Sequence, residues 1–114
     1  MTCIGFIGLG LIGGSLARSI KKFHPDFHIL AYSHTPSTLE QALIAGAIDE
    51  ALDQNDPRFG DCDFIFLCAP VQTNITYFPF LKSIIRKDCI LTDVGSVEGE
   101  TTEAAIQTGL APNF

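Results

Sequence analysis

The chain has 114 residues, about the length of one domain, and 46% of them are hydrophobic while 18% are charged. This balance excludes a disordered chain and indicates a globular domain with a buried core. The net charge is −6, and no basic cluster is larger than Lys21 and Lys22, so we expect no nucleic-acid partner.

Apolar runs and turn residues predict strands and helices that alternate along the whole chain. The predicted strands cover residues 2–7, 28–32, 47–52, 63–68 and 89–92, and the predicted helices cover 11–23, 36–45, 73–86 and 100–107. The first helix is expected to bury an apolar stripe at positions 12, 16, 20 and 23. Pro79 is expected to start or kink a helix, and residues 112–114 are expected to begin a further strand.

The predicted strands are continuously apolar rather than alternating, as in strands that are buried on both faces. Alternation of such strands with helices predicts an α/β fold. We expect one domain over residues 1–114, a Rossmann-type doubly wound parallel sheet with three α/β/α layers.

The segment GFIGLGLIGGSLA, at 5–17, is open to three interpretations: an export signal, a membrane helix, or a strand that turns into a helix around a phosphate. No basic segment precedes it, and its glycines do not suit the apolar helix of a signal peptide. It is too short to span a bilayer, and Arg18 follows it at once. We therefore expect a cytoplasmic protein with no membrane partner.

Within this segment a G-x-G-x-x-G motif lies between a predicted strand and a predicted helix. The motif alone is also compatible with close packing of a helix on a strand. In this context it predicts dinucleotide binding, with a tight turn, a close approach to the pyrophosphate and free N–H groups at the start of the helix. The predicted cofactor-binding residues of the loop are Gly8, Leu9, Gly10, Leu11, Ile12 and Gly13.

The second predicted strand ends in Ser33, His34 and Thr35, where many NAD-binding domains carry an acid for the ribose 2′-hydroxyl. No carboxylate follows until Glu40, which suits a helix cap better. Hydroxyl donors beside His34 favour a 2′-phosphate, and hence NADP over NAD. Two alternatives stay open: Ser33 donates to a ribose hydroxyl and leaves NAD acceptable, or His34 is a surface residue without a ligand.

Two further loops follow strand ends, where ligands bind in open α/β sheets. Residues Cys68, Ala69, Pro70 and Val71 form a small-residue loop that we expect to pack along the ribose and nicotinamide. Gly95 and Ser96 follow the fifth strand. Ser96 either hydrogen-bonds the substrate or nicotinamide, or caps the next helix.

The four cysteines match no zinc or redox spacing, and no metal site is predicted. Cys3, Cys68 and Cys89 lie inside or beside apolar runs. All four, including Cys62, are interpreted as small core residues in a reducing compartment.

GLGLIGGSLA at 8–17, Pro-Val after the fourth strand and LTDVGSV at 91–97 together resemble the cofactor domain of prephenate and arogenate dehydrogenases. The resemblance implies an NAD(P)-dependent oxidoreductase of tyrosine biosynthesis. Its reaction removes a hydride from the ring carbon that bears the hydroxyl of prephenate or arogenate, releases carbon dioxide and leaves an aromatic ring. It further implies that the loop glycines hold the pyrophosphate and that Ser96 is catalytic, facing the substrate hydroxyl and nicotinamide.

Two departures from the family accompany this resemblance. Glu98 follows GSV where the family usually has lysine, and the family's catalytic histidine belongs to a His-Pro-Met motif beyond position 114. The resemblance further implies a helical domain that completes the substrate pocket and forms a homodimer, and we expect none of it within residues 1–114. We therefore expect the chain alone to bind cofactor without catalysis.

Two other classes of protein are compatible with the glycine loop. One is the cofactor domain of a β-hydroxyacid dehydrogenase or an imine reductase. The other is a regulatory module that senses a dinucleotide and has no chemistry of its own. The DVGSV segment favours the prephenate or arogenate dehydrogenase interpretation over the first of these. The second stays open, since the sequence offers no general base near the carboxyl edge of the predicted sheet.

Overall fold

A computed structural model describes residues 1–94 and 100–114. Five parallel strands form one sheet, in the order β3-β2-β1-β4-β5. The strands are β1 (Cys3–Ile7), β2 (His28–Tyr32), β3 (Glu50–Ala51), β4 (Phe64–Leu67) and β5 (Ile90–Asp93). The helices are α1 (Leu11–Phe23), α2 (Pro36–Ile44), α3 (Val71–Thr76), α4 (Phe78–Ile84) and α5 (Glu100–Thr108).

Two separate apolar clusters cover the two faces of the sheet, because successive side chains of a strand point to opposite faces. Phe6 of β1 packs in one cluster with Ala17 of α1 and Ala42 of α2. Ile7, its neighbour in β1, packs in the other cluster with Phe78 of α4. The predicted three-layer Rossmann-type α/β fold is therefore confirmed.

The buried face of α1 agrees only in part with the predicted stripe, since Leu16 and Ile20 pack against the core and the two end positions do not. Gly13 and Ala17 are buried, whereas Ile12 is 60% exposed and Phe23 is 73% exposed. Small residues on the sheet-facing side let the helix backbone lie close to the strands, so the larger apolar residues at both ends of the helix are turned outward.

The third strand is much shorter than the predicted segment 47–52. The side chain of Asp49 accepts a hydrogen bond from the Ile29 N–H at 2.7 Å, at the position where a longer strand would continue the backbone ladder. Ala47, Ile48 and Leu52 are nevertheless buried, which explains the apolar pattern of this segment.

Residues 112–114 do not begin a strand, which corrects that prediction. Ala111–Asn113 form a 3-10 turn, and Asn113 is buried. Its side-chain amide donates to the carbonyl groups of Lys87 at 3.2 Å and Cys89 at 2.8 Å. These bonds hold the last residues of the chain against the start of β5.

Pro79 lies in the first turn of α4, as predicted, but the segment predicted as one helix over 73–86 forms two, α3 from Val71 and α4 after Tyr77. Cys62 and Cys89 are buried, Cys3 and Cys68 are partly buried, and all four thiols are free. No helix within 1–94 and 100–114 combines the length and the apolar character that crossing a membrane requires.

Candidate functional site

The carboxyl end of β1 is the point at which the sheet reverses its winding direction. The chain leaves β1 through α1 to reach β2 on one side, and β4 lies on the other side. In open α/β sheets the ligand crevice forms at such a point. Three predicted segments meet there: the glycine loop after β1, Ser33–Thr35 after β2, and the loop that follows β4.

Gly8 makes the turn out of β1 and has a φ of +80°. Its N–H donates to the carbonyl of Tyr32 at 2.9 Å, which joins the glycine loop to the end of β2. A Cβ atom at this position would lie 2.7 Å from Cβ of Ala69 and 2.8 Å from its backbone nitrogen. The glycine loop and the loop after β4 therefore touch backbone to backbone.

Gly13 packs in a similar way, since a Cβ atom there would lie 3.3 Å from Sγ of Cys68. Gly10 is different, because a Cβ atom on it would meet no atom of the described residues within 4 Å. Two glycines of the motif thus serve close packing within the protein, and the middle one faces open space. This is the arrangement that a close approach of a pyrophosphate requires.

Backbone N–H groups at the start of α1 face the same space. The first intrahelical hydrogen bond runs from the Gly14 N–H to the Gly10 carbonyl. The N–H groups of Leu11, Ile12 and Gly13 consequently have no partner in the described part of the chain. Three unpaired donors at the positive end of a 13-residue helix form an anion-binding cradle.

Leu9 is the exception among the predicted loop residues. Its side chain is fully buried in the core, and its N–H donates to the carbonyl of Tyr32 at 3.0 Å. Leu9 therefore anchors the glycine loop to the core and to the end of β2. The neighbouring Leu11 is 93% exposed and lies on the open side.

The segment after β2 forms a tight turn into α2. The Ser33 hydroxyl accepts a hydrogen bond from the Thr35 N–H at 3.1 Å. Thr35 occupies the N-cap position of α2, but its side chain makes no capping hydrogen bond. The Thr35 hydroxyl and the exposed His34 are thus available at the carboxyl edge.

In the loop after β4, Pro70 precedes α3 and Val71 is the first residue of that helix. Burial and, secondarily, the carboxylate of Asp93 raise the pKa of Cys68 to about 11, so its thiol is protonated at neutral pH. Cys68 packs against Gly13 as a small neutral side chain. Gly95 and Ser96 lie outside the described residues, as does Glu98.

Asn74, which the sequence does not single out, organises the loop after β4. Its side chain is fully buried, accepts from the Ala69 N–H at 3.1 Å and donates to the Ala69 carbonyl at 2.8 Å. It also donates to Oδ1 of Asp93, at the end of β5, at 3.1 Å. One buried amide therefore connects the edges of β4 and β5 beside Gly8.

The described residues contain no group of three or more His, Cys, Asp or Glu side chains that could hold a metal ion. Two of the three histidines lie away from the glycine loop. His28, at the start of β2, contacts Glu50 at 2.6 Å, and His24 stacks on Phe27.

The winding reversal, the open Gly10 and the unpaired N–H groups define a Rossmann-type dinucleotide-binding domain. Residues 16–112 match the family model of the prephenate dehydrogenase nucleotide-binding domain. The chain belongs to this family.

Three relatives illustrate the match. Cyclohexadienyl dehydrogenase of Zymomonas mobilis is 32% identical over 95 residues, which are 83% of this chain and 32% of that protein. The structure of Aquifex aeolicus prephenate dehydrogenase with hydroxyphenyl propionate and NAD+ covers the whole chain at 29% identity with a TM-score of 0.88, using 40% of its own length. Synechocystis arogenate dehydrogenase is 33% identical with a TM-score of 0.83, and the match covers 94% of this chain and 37% of that one.

The chain thus spans about a third of the length of the curated relatives that it matches. The matched family favours the prephenate or arogenate dehydrogenase interpretation over a β-hydroxyacid dehydrogenase or an imine reductase.

Proposed function

We propose that this chain is the cofactor-binding part of a dehydrogenase that oxidises and decarboxylates prephenate or arogenate. The observation that carries the proposal is the glycine loop, in which Gly10 is open while Leu11 and Ile12 present unpaired N–H groups. The family match supports the substrate class, since the relatives are prephenate, arogenate and cyclohexadienyl dehydrogenases. In the whole protein we propose a homodimer with a separate helical domain.

A nicotinamide dinucleotide, when bound, supplies the hydride acceptor. The pyrophosphate would be held by Gly8, Gly10 and Gly13 with the N–H groups of Leu11 and Ile12. The loop Cys68, Ala69, Pro70 and Val71 would line the ribose and nicotinamide. Gly95 would lie beside the nicotinamide, and Ser96 would face it and the substrate hydroxyl.

We propose NADP as the preferred cofactor. Ser33, His34 and Thr35 offer donors and no carboxylate at the end of β2, and the Thr35 hydroxyl is not used to cap α2. An acid at this position would repel a 2′-phosphate and accept from a 2′-hydroxyl. Ser33→Asp should therefore weaken NADPH binding far more than NADH binding. Equal effects on the two cofactors would contradict this preference.

The glycine loop is tested by titrating the chain with NADH and NADPH. Gly10→Ala places a methyl group in open space, away from every residue that the structure describes, so we expect about tenfold weaker binding or more and an unchanged unfolding midpoint. Gly46→Ala is the matched control, because Gly46 has a φ of +72° at the end of α2 and no neighbour within 4 Å. It should lose stability and keep its affinity. Full affinity in Gly10→Ala would sink the proposed site.

A further inference from the structure

A cleft of about 520 Å³ lies between α1 and α2, directly beside the glycine loop. It begins at Gly10 and extends along the facing sides of the two helices. Beside the glycine loop, its lining includes one cationic and several polar residues: Gly10, Ser15, Arg18, Ser19, Thr38 and Gln41.

Arg18 is the cationic residue among those that line this cleft. It forms no hydrogen bond or ion pair within residues 1–94 and 100–114. The other two arginines are both paired: Arg58 with Asp56 at 3.0 Å, and Arg86 with Asp63. In a chain with a net charge of −6, an unpaired arginine next to an anion-binding loop is available to a ligand.

Helix geometry brings the Arg18 side chain toward the loop. Arg18 lies two turns along α1 from Leu11, on the same side of the helix. Side chains of a helix incline toward its N-terminus, so the guanidinium covers the turns nearer to Gly10. This explains why Arg18 and Gly10 line one cleft although about 12 Å of helix separates their backbones.

The other polar groups of the cleft suit an anion. The cleft offers hydroxyl and amide donors from Ser15, Ser19, Thr38 and Gln41, and no Asp or Glu lines it among residues 1–94 and 100–114. A guanidinium with neutral donors and without a competing carboxylate is the set that binds a phosphate group.

The position of the cleft indicates which phosphate it receives. Thr38 lies in the first turn of α2, three residues after Thr35, and the ribose 2′ position of a bound dinucleotide lies at the end of β2. We propose that Arg18, together with Thr38, binds the 2′-phosphate of NADP and is thereby a residue that selects NADP over NAD. This inference rests on the proposed function, to which it adds a guanidinium, a permanently charged group that the segment after β2 lacks.

The test compares Arg18→Gln with Lys22→Gln in the 114-residue chain. Both changes remove one positive charge from an exposed position of α1, but Lys22 lies outside the cleft. Dissociation constants are measured for NADPH and NADH, and for the fragments 2′,5′-ADP and 5′-AMP. We expect Arg18→Gln to weaken NADPH and 2′,5′-ADP about tenfold or more while NADH and 5′-AMP change less than about twofold.

Further measurements separate the possible outcomes. Arg18→Lys should weaken NADPH to a smaller extent, because it keeps the charge and loses the planar guanidinium. Thermal unfolding of each variant shows that the fold is retained. Lys22→Gln should leave all four constants unchanged.

An equal loss of NADPH and NADH affinity in Arg18→Gln, or no loss, would overturn the role of Arg18 and leave the dinucleotide site intact. Binding of NADH but not NADPH by the unaltered chain would do the same. Failure of the unaltered chain to bind any of the four nucleotides would remove both this inference and the proposed function.

Discussion

Gly8 combines a positive φ with a neighbour that cannot move away. A methyl group there would meet the backbone and Cβ of Ala69 at 2.7 to 3.0 Å. Gly109, at the end of α5, has a similar φ of +83°, but its nearest neighbour is the flexible end of Lys82 at 3.3 Å. The two positions therefore share the same backbone strain and differ in steric freedom.

We predict that Gly8→Ala lowers the free energy of unfolding by about 3 kcal/mol or more, because backbone strain and overpacking add. Gly109→Ala should cost about 1–2 kcal/mol, which is the strain alone. Chemical denaturation of both variants measures the difference. Equal losses would show that the contact with Ala69 is not a constraint.

Asn74 supports the loop beside Gly8 through a fully buried amide. Asn74 is fully buried, so Asn74→Ala would leave the Ala69 N–H without its hydrogen-bond partner in a place that water does not reach. We predict a loss of about 2–3 kcal/mol in unfolding free energy, since an unsatisfied buried group costs its full desolvation. Thr76→Ala is the control: the exposed Thr76 hydroxyl bonds only its own helix, and the expected change is below about 0.5 kcal/mol.

On the scale of the elements, Asp63 ties the starts of β1 and β4 together at the edge opposite the glycine loop. Its carboxylate accepts from the Cys3 N–H at 2.9 Å and from the Arg86 guanidinium. These two contacts, with the Cys3 N–H as the larger cause, hold the pKa of Asp63 below its usual value. Because the folded pKa is depressed, this stabilisation is present above the unfolded pKa of about 4 and is lost as the pH falls through the folded pKa.

We predict that Asp63→Asn flattens the acid side of the stability profile. The melting temperature of the unaltered chain should fall as the pH drops below about 4, and the melting temperature of the variant should fall less over the same range. Asp26→Asn, in the exposed turn after α1, should leave the profile unchanged. Thermal melts of the three proteins across the acid range provide the measurement. Superimposable profiles for Asp63→Asn and the unaltered chain would contradict the prediction.

The helices and strands could largely be predicted, because the strands of a buried parallel sheet are continuous apolar runs in the sequence. Phe64–Leu67 and His28–Tyr32 are of this kind. The length of β3 could not be predicted, since Asp49 replaces part of the backbone ladder with its side chain. The outward position of Phe23 could not be predicted either, because it depends on how α1 packs on the sheet and the local sequence pattern does not determine that packing.

The candidate site also has a part that could be predicted from the sequence and a part that could not. The glycine loop was predictable because its residues are contiguous and each follows from local geometry. Arg18 and Thr38 were not, because 20 positions separate them and only the packing of α1 beside α2 brings them to one cleft. The role of Asn74 could not be predicted for a similar reason, since its partners lie in the loop after β4 and at the end of β5.

On the scale of the whole molecule, we predict that this chain binds NADPH and does not oxidise prephenate or arogenate. The family resemblance requires a catalytic histidine, and the histidines of this chain are elsewhere. His24 and His28 lie near the amino end of β2, and His34 follows β2, on the side of β1 away from β4 and β5. The assay follows formation of reduced cofactor with each substrate at saturating cofactor. Turnover above the rate without protein would refute the prediction.

The strand order also has a consequence for the order in which a ribosome delivers the chain. β1 is made first but occupies the centre of the sheet, between β2 and β4. Its pairing with β2 becomes possible once residue 32 has emerged, whereas the edge that pairs with β4 stays open until residues 64–67 follow. During that interval the nascent polypeptide carries an apolar strand with unpaired backbone groups, the state most exposed to aggregation and to capture by chaperones.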